Sequence, residues 1–162
     1  MRVAILGNAG AGKSTLARRI AGTRGLKLTE LDALLWARGW VPRPEADYAA
    51  AQAAAIAGEA WVIEGLGRQD SIAARLARAT EIILFDLPLA LHLEMASGRQ
   101  AGWRAGTLAH PPAGMATPPP TAALLATIAE VDRDWMPVIR TLSAEAASRG
   151  AVLHRLDTPA AI

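Results

Sequence analysis

The 162-residue sequence predicts an α/β fold built on a central parallel sheet, and three observations carry that expectation. Short apolar runs recur near 2–6, 26–31, 61–64, 81–86 and 151–156, with helical periodicity between them. Such alternation implies βαβ crossovers, hence parallel strands covered by helices on both faces. Acidic residues (Asp32, Glu64 and Asp86) stand at the ends of three runs, where the ligand crevice of a parallel sheet lies. Finally, the first run opens directly into Gly7-Asn8-Ala9-Gly10-Ala11-Gly12-Lys13-Ser14, a loop of the form G-x-x-x-x-G-K-[ST].

Val3-Ala4-Ile5-Leu6 reads as a short buried strand and Ser14 to Ile20 as the first turns of a helix. Between them the glycines let the backbone curl so that successive N–H groups converge on an anion. The helix N-terminus adds about half a positive charge aimed at the same point. Asn8, Ala9, Gly10, Ala11, Gly12, Lys13, Ser14 and Thr15 are therefore expected to hold a nucleoside triphosphate. Lys13 is placed on the β/γ-phosphates and the Ser14 hydroxyl on Mg²⁺. Lys13 is one of two lysines, the other being Lys27, in a chain that otherwise uses arginine.

The first helix is expected to stop near Gly22 to Gly25. A second starts after Pro42-Arg43-Pro44 and ends at Gly58. Asp70 is a candidate N-cap for a helix over 71–79, and Pro88 opens one that runs to about Ser97-Gly98. The stretch from Arg99 to Pro120 breaks every period, is rich in glycine and proline, and has the length of a functional lid. Thr121 then caps a long helical pattern through Leu142, with a kink expected at Pro137.

Composition bounds the rest. The length suits one domain over 1–162, and no apolar run approaches the roughly 20 residues of a membrane span. The absence of cysteine and of a leader-like segment fits the cytoplasm. Net charge is only +2 and the arginines are dispersed, so neither nucleic acid nor membrane is expected as a partner.

Glu64 ends Trp61-Val62-Ile63, which matches the acid that serves Mg²⁺ in phosphate-loop proteins; the flexible Gly65-Leu66-Gly67 and the cation Arg68 follow it. Asp32 has two readings: an acid that orients or deprotonates an acceptor hydroxyl, or an N-cap for a helix over 33–37. Trp36 and Trp40, four apart, would share a face if that helix forms, either as an aromatic wall for an acceptor or as core packing. Asp86 is read as a cap for the helix at Pro88. Arg99 and Arg104 flank the lid and could stabilise charge on a transferring phosphoryl group. His92, His110 and His154 have no ligand spacing and receive no metal role.

Together, Gly7–Ser14, Leu31-Asp32-Ala33-Leu34 with Trp36 and Gly39-Trp40-Val41-Pro42-Arg43-Pro44, the Glu64-Gly65 strand end and Phe85-Asp86-Leu87-Pro88 resemble adenylate-kinase-related P-loop kinases, nearest to the DNA topology modulation protein subgroup. The resemblance covers about residues 1–95 well and the rest in outline. It implies a three-layer P-loop NTPase fold with five parallel strands in the order 2-3-1-4-5, like that of nucleoside monophosphate kinases. It also implies an acceptor-binding segment near 32–60 and a mobile lid near 99–120, between strands 4 and 5. A base-clamping loop would fall near Asp157-Thr158-Pro159. Nucleotide kinases carry D-G-[FY]-P-R where this chain has Glu64-Gly65-Leu66-Gly67-Arg68, so Glu64 takes the metal role and Arg68 the acceptor role.

The implied activity is transfer of the γ-phosphoryl of ATP, with Mg²⁺, to a small-molecule acceptor. Lys13, Asp32, Arg99 and Arg104 would act at the reacting groups, and Asp32, Trp36 and Arg68 on the acceptor. The acceptor is a nucleoside monophosphate or a hydroxyl-bearing metabolite. The competing expectation is an ATP-binding regulatory module or slow ATPase, associated with DNA as the subgroup's name suggests.

Overall fold

Val3, Ala4, Ile5 and Leu6 are completely buried, and because successive strand side chains point to opposite faces, both faces of this strand must be covered. Ala4 and Leu6 enter one apolar cluster with Tyr48, Leu76, Met136 and Ile139. Val3 and Ile5 enter another with Ala17, Ala21, Ile83 and Phe85. Two cores on one sheet make three layers. This is a computed structural model, and it describes residues 1–112 and 114–158.

In chain order the elements are β1 (Arg2–Gly7), α1 (Lys13–Arg24), β2 (Leu28–Glu30), α2 (Leu31–Leu35), β3 (Trp36–Ala37), β4 (Val41–Pro42), α3 (Glu45–Ala57) and β5 (Trp61–Glu64). There follow α4 (Ile72–Arg78), β6 (Glu81–Phe85), α5 (Leu89–Arg104), α6 (Thr121–Glu130), α7 (Met136–Ser148) and β7 (Val152–Leu156). The main sheet is parallel in the order β2-β5-β1-β6-β7. Counting only its five strands, that is 2-3-1-4-5, as the resemblance implied. Among the described residues no helix is long and apolar enough to cross a membrane.

The register sets the site. Ile5 pairs with Glu64, Glu30 with Glu64, and Gly7 with Phe85, so four strands end level with the glycine-rich loop. Gly25 closes α1 in the left-handed conformation (φ 64°), its N–H returning to the Ala21 carbonyl, where a helix-stopping glycine was expected.

Five expectations are corrected. The helix from Pro88 does not stop at Gly98: α5 runs on through Arg104, so the irregular segment begins only at Ala105. Asp70 caps nothing; it lies inside a 3₁₀ turn (Gln69–Ser71) that leads into α4. Asp86 does not cap α5 either, because Arg140 and Arg155 hold its carboxylate. Thr121 is the first helical residue behind Pro120, and its hydroxyl takes a hydrogen bond from Arg104 instead of capping. Trp36 and Trp40 share no helix, because α2 ends at Leu35 and the chain turns into the two-residue ribbon β3–β4. The kink near Pro137 takes the form of a π turn over Val131–Trp135, which absorbs the missing proline N–H. Of the expected base-clamping loop, Pro159 lies outside the described residues.

Candidate active site

The glycine-rich loop is shaped by contacts that exclude a side chain. Gly7 has φ +134°, and a Cβ there would lie 2.4 Å from the Phe85 carbonyl oxygen. Gly10, at φ +85°, would put one 2.9 Å from the backbone nitrogen of Ala96 on α5. Gly12 is the left-handed N-cap of α1. The loop is pinned from beneath: buried Asn8 donates from Nδ2 to the Ile128 carbonyl (2.7 Å), while its Oδ1 accepts the Ala9 N–H (2.8 Å). Lys13 Nζ folds back to donate to the Asn8 carbonyl at 2.7 Å.

His92, to which the sequence assigned no role, supports the same loop. Its Nδ1 lies 2.9 Å from the Ala9 carbonyl oxygen. A carbonyl only accepts, so Nδ1 carries the hydrogen in this arrangement. Burial lowers the ring's pKa, with the Ala9 bond opposing and Lys13 assisting, which favours the neutral form.

Across the loop, Ser14 Oγ donates to Glu64 Oε1 at 3.0 Å. Glu64 is 4 % exposed, and burial raises its pKa against the opposing pull of Lys13 and the Ser14 hydrogen bond. Burial lowers the Lys13 pKa in turn; Glu64 and Asp32 oppose the shift and Arg99 adds to it. The two groups sit in one electrostatic unit, with Asp32 and Arg99 within its reach. A hydroxyl and a carboxylate are hard oxygen donors of the kind Mg²⁺ takes, and that ion draws its remaining ligands from phosphate and water. The residues present therefore fit Mg²⁺. Among the described residues no cluster of three or more acidic, histidine or cysteine ligands exists to enclose a metal without a substrate.

These groups line a single cleft of about 880 Å³ that continues past the loop toward Asp32, Trp36, Trp40 and Trp103. Trp36 and Trp40 meet edge to face with centroids 5.9 Å apart, and Trp40 and Trp103 lie 6.1 Å apart. Trp40 is the one non-glycine among the described residues with positive φ (62°), a conformation costing a bulky side chain roughly 1–2 kcal/mol. Its Nε1 donates to the Thr117 carbonyl at 2.9 Å, which docks the proline-rich segment on the ribbon. Pro112 and Pro119 of that segment reach the cleft wall.

The site brings Lys13, Ser14, Asp32, Trp36, Glu64, Arg68 and Arg99 to one cleft. Arg104 is elsewhere. Because α5 is unbroken, residues five apart lie about 140° apart around its axis, so Arg99 and Arg104 cannot face the same way; Arg104 donates to Thr121 outside the cleft. Arg68 lines the cleft, but its guanidinium is 3.0 Å from Glu45 and 4.0 Å from Asp70.

Behind the Gly65–Arg68 turn lies a buried polar network that the sequence did not announce. Arg75 is fully buried and donates to the carbonyls of Gly65 and Leu66, both at 3.1 Å, and to Gln52 Oε1 at 3.4 Å. Burial lowers its pKa to about 10, with Tyr48 and Glu64 opposing. The Tyr48 hydroxyl meets Ser71 Oγ at 3.0 Å, donates to Gln52 and accepts the Arg68 N–H at 3.2 Å. A signal was present: Arg75 falls three residues after Ile72 and beside Leu76, on the buried face of a short helix.

No family model matches the chain, and no curated protein matches it by sequence. Solved structures do. A candidate kinase from Chloroflexus aurantiacus superposes with a TM-score of 0.53 at 19% identity, covering 98% of this chain and 88% of that one. The fold is the three-layer α/β fold of that structure. A gluconokinase from Sinorhizobium meliloti 1021 is similar at TM-score 0.49 and 18% identity (91% and 92% covered). So is shikimate kinase from Aquifex aeolicus vf5, at 0.48 and 16% (93% and 99% covered).

Proposed function

We propose that this chain is a phosphotransferase that moves the γ-phosphoryl group of ATP to a small acceptor. One observation carries the proposal: the phosphate-binding loop, the Ser14–Glu64 pair and Asp32 open into the same cleft. The N–H groups of Gly7–Ser14 bind the β- and γ-phosphates, and Lys13 exchanges the Asn8 carbonyl for a phosphate oxygen. Ser14, and Glu64 through water, would hold Mg²⁺, which when bound would neutralise charge on the phosphates. Asp32 accepts the proton of the acceptor hydroxyl, whose oxygen forms a bond to Pγ as the bond from Pγ to the β–γ bridging oxygen breaks. ADP leaves with that electron pair, and Asp32 returns its proton to water. Arg99 meets the charge spread over the transferring group. An acceptor that is itself a phosphate monoester would need no such base, and Asp32 would then only orient it. Membership of the DNA topology modulation subgroup is part of the same proposal, resting on the Leu31–Pro44 motif.

ATP consumption measured across nucleotides and hydroxylated metabolites, with Lys13→Ala as the control, tests the proposal. At least one acceptor should stimulate turnover well above Lys13→Ala. Asp32→Asn should leave ATP affinity within a few-fold while depressing transfer by about 10²–10⁴. Absence of any stimulation would instead leave an ATP-binding regulatory module, the second reading favoured by the displacement of Arg104 from the cleft.

A further inference from the structure

We infer that the acceptor half of the cleft is built for an uncharged, hydroxyl-bearing compound with a planar or apolar body, and not for a phosphorylated or carboxylated one. The inference rests on the phosphotransferase proposal and narrows its acceptor. Its first support is the balance of charge. The cation that the motif offers to an acceptor anion, Arg68, is occupied by Glu45 at 3.0 Å with Asp70 4.0 Å away. Lys13 and Arg99 stand on the donor side, where each acts electrostatically on the phosphate-loop groups. What remains at the acceptor end is Asp32, so an incoming anion meets a carboxylate and shares Arg68 with Glu45.

The second support is aromatic. Trp36, Trp40 and Trp103 come from the ribbon and from α5, sequence-remote segments that converge on one wall of the cleft. Trp40 occupies a left-handed turn position that glycine or asparagine would fill without strain. Strained residues of this kind cluster at ligand sites, held there by surrounding contacts. Here those contacts are the bond to Thr117 and the two neighbouring indoles.

The third is Gln100. It lines the cleft, is 2 % exposed, and its Oε1 has no hydrogen-bond partner among the described residues. On α5, Ala96 lies against Gly10 of the phosphate loop and Trp103 against Trp40. A rise of about 1.5 Å per residue sets Gln100 between the two, roughly 6 Å beyond Ala96. Rotation about its last bond exchanges the amide's ends, so this neutral group can accept from a hydroxyl or donate to it. Trp40 and Trp103 would cover the planar body, Gln100 would take one hydroxyl, and Asp32 the hydroxyl that is phosphorylated.

The test uses matched pairs of probes on the full chain with Mg²⁺ and a non-hydrolysable ATP analogue: a nucleoside against its 5′-monophosphate, and an aromatic alcohol against a linear polyol. Binding is read from tryptophan fluorescence, and transfer from ADP formation with ATP itself. The aromatic alcohol should bind about tenfold or more tightly than the polyol, the scale of aromatic stacking on a single ring, and the nucleoside should bind more tightly than its monophosphate because the phosphate meets Asp32. Trp40→Asn, which tolerates the left-handed backbone, should erase the preference for the aromatic alcohol over the polyol, as should Trp103→Ala, with the nucleoside-over-monophosphate preference kept and the ATP dissociation constant moving less than about twofold. Glu45→Gln, by releasing Arg68, should strengthen binding of the monophosphate. Tighter binding of the monophosphate or the polyol to the unaltered chain overturns the inference, even if that compound is phosphorylated and the transferase proposal stands. Selective binding of the planar alcohols without ADP formation upholds it while refuting transfer.

Discussion

Arg75→Met is the perturbation that separates a scaffold from an ornament. Arg75 spans from α4 to the turn that follows β5, and its guanidinium satisfies the carbonyls of Gly65 and Leu66. Methionine fills similar volume but offers no donor, leaving both oxygens buried at about 1–3 kcal/mol each. Gln52 Oε1 keeps the Tyr48 hydroxyl and is not orphaned. Against this loss stands the relief of a buried charge: depression of the guanidinium pKa to about 10 corresponds to a net cost on the order of 3 kcal/mol. Two unpaired backbone oxygens cost about 4 kcal/mol at the middle of that range, which leaves a net loss of about 1 kcal/mol. In a chain of this size that is about 2–4 °C in Tm. Urea denaturation should show a lower midpoint at unchanged m, and acceptor KM should rise about tenfold as the Gly65–Arg68 turn loosens, with the KM for ATP little changed. Arg75→Lys, with one ammonium for two carbonyls, should fall between. A methionine variant as stable as the parent, with unaltered acceptor KM, would refute the idea that this arginine holds the turn.

Four further outcomes follow from the same geometry. Burial places the Glu64 pKa above its ordinary 4.5, so the native state holds that proton more tightly than the unfolded chain, and stability falls as pH rises through the native value. Glu64→Gln should therefore melt higher than the parent at pH 7 but not at pH 4, while Mg²⁺-dependent turnover drops about 10–100-fold; a lower Tm at pH 7 would contradict this. Asp86 has the opposite sign. Burial disfavours its charge, but Arg140 and Arg155 more than compensate and hold its carboxyl below 3.8, so the pairs stabilise the fold above that pH and their contribution is lost as pH falls through the native value. Asp86→Asn should cost about 1–3 kcal/mol at pH 7, and thermal melts should show the gap closing in acid. Gly10→Ala should lower Tm and weaken ATP binding more than tenfold because its Cβ meets the Ala96 backbone. Gly22→Ala, which meets nothing inside α1, should stabilise by about 0.4–1 kcal/mol in the same denaturation assay.

The five strands and the glycine-rich loop were legible because their signals are local. β1 is a continuous apolar run because it is buried on both faces, and the loop's glycines adjoin it in sequence. The acceptor side was legible only in its parts. Asp32 and Trp36 both line the cleft, but the ribbon that brings Trp36 to Trp40 depends on a turn at Gly39-Trp40, and tryptophan carries no signal for positive φ. Trp103 and Gln100 were hidden inside a segment taken as irregular. Gly98 and Gly102 lowered its apparent helicity, yet α5 remains helical through both, packed against α6. For Arg75 only burial was legible, from its place beside Ile72 and Leu76; the Gly65 and Leu66 carbonyls it serves leave no side-chain pattern.

That same helix explains why the two halves of the cleft must act together. Gly10 admits no Cβ because α5 passes directly beneath it, and one end of α5 carries Trp103 into the aromatic wall. α5 is continuous from Ala96 to Trp103, so ordering of the phosphate loop by a nucleotide should bear on the position of Gln100 and Trp103 through one helix. The ribbon is tied to the same wall through Trp40 and, through Thr117, to the proline-rich segment. Nucleotide binding should therefore tighten acceptor binding, and by linkage acceptor binding should tighten nucleotide binding by the same factor. A cleft whose halves were joined only by loops would show no such coupling. Equal acceptor affinities with and without the nucleotide analogue would place the joint somewhere other than α5.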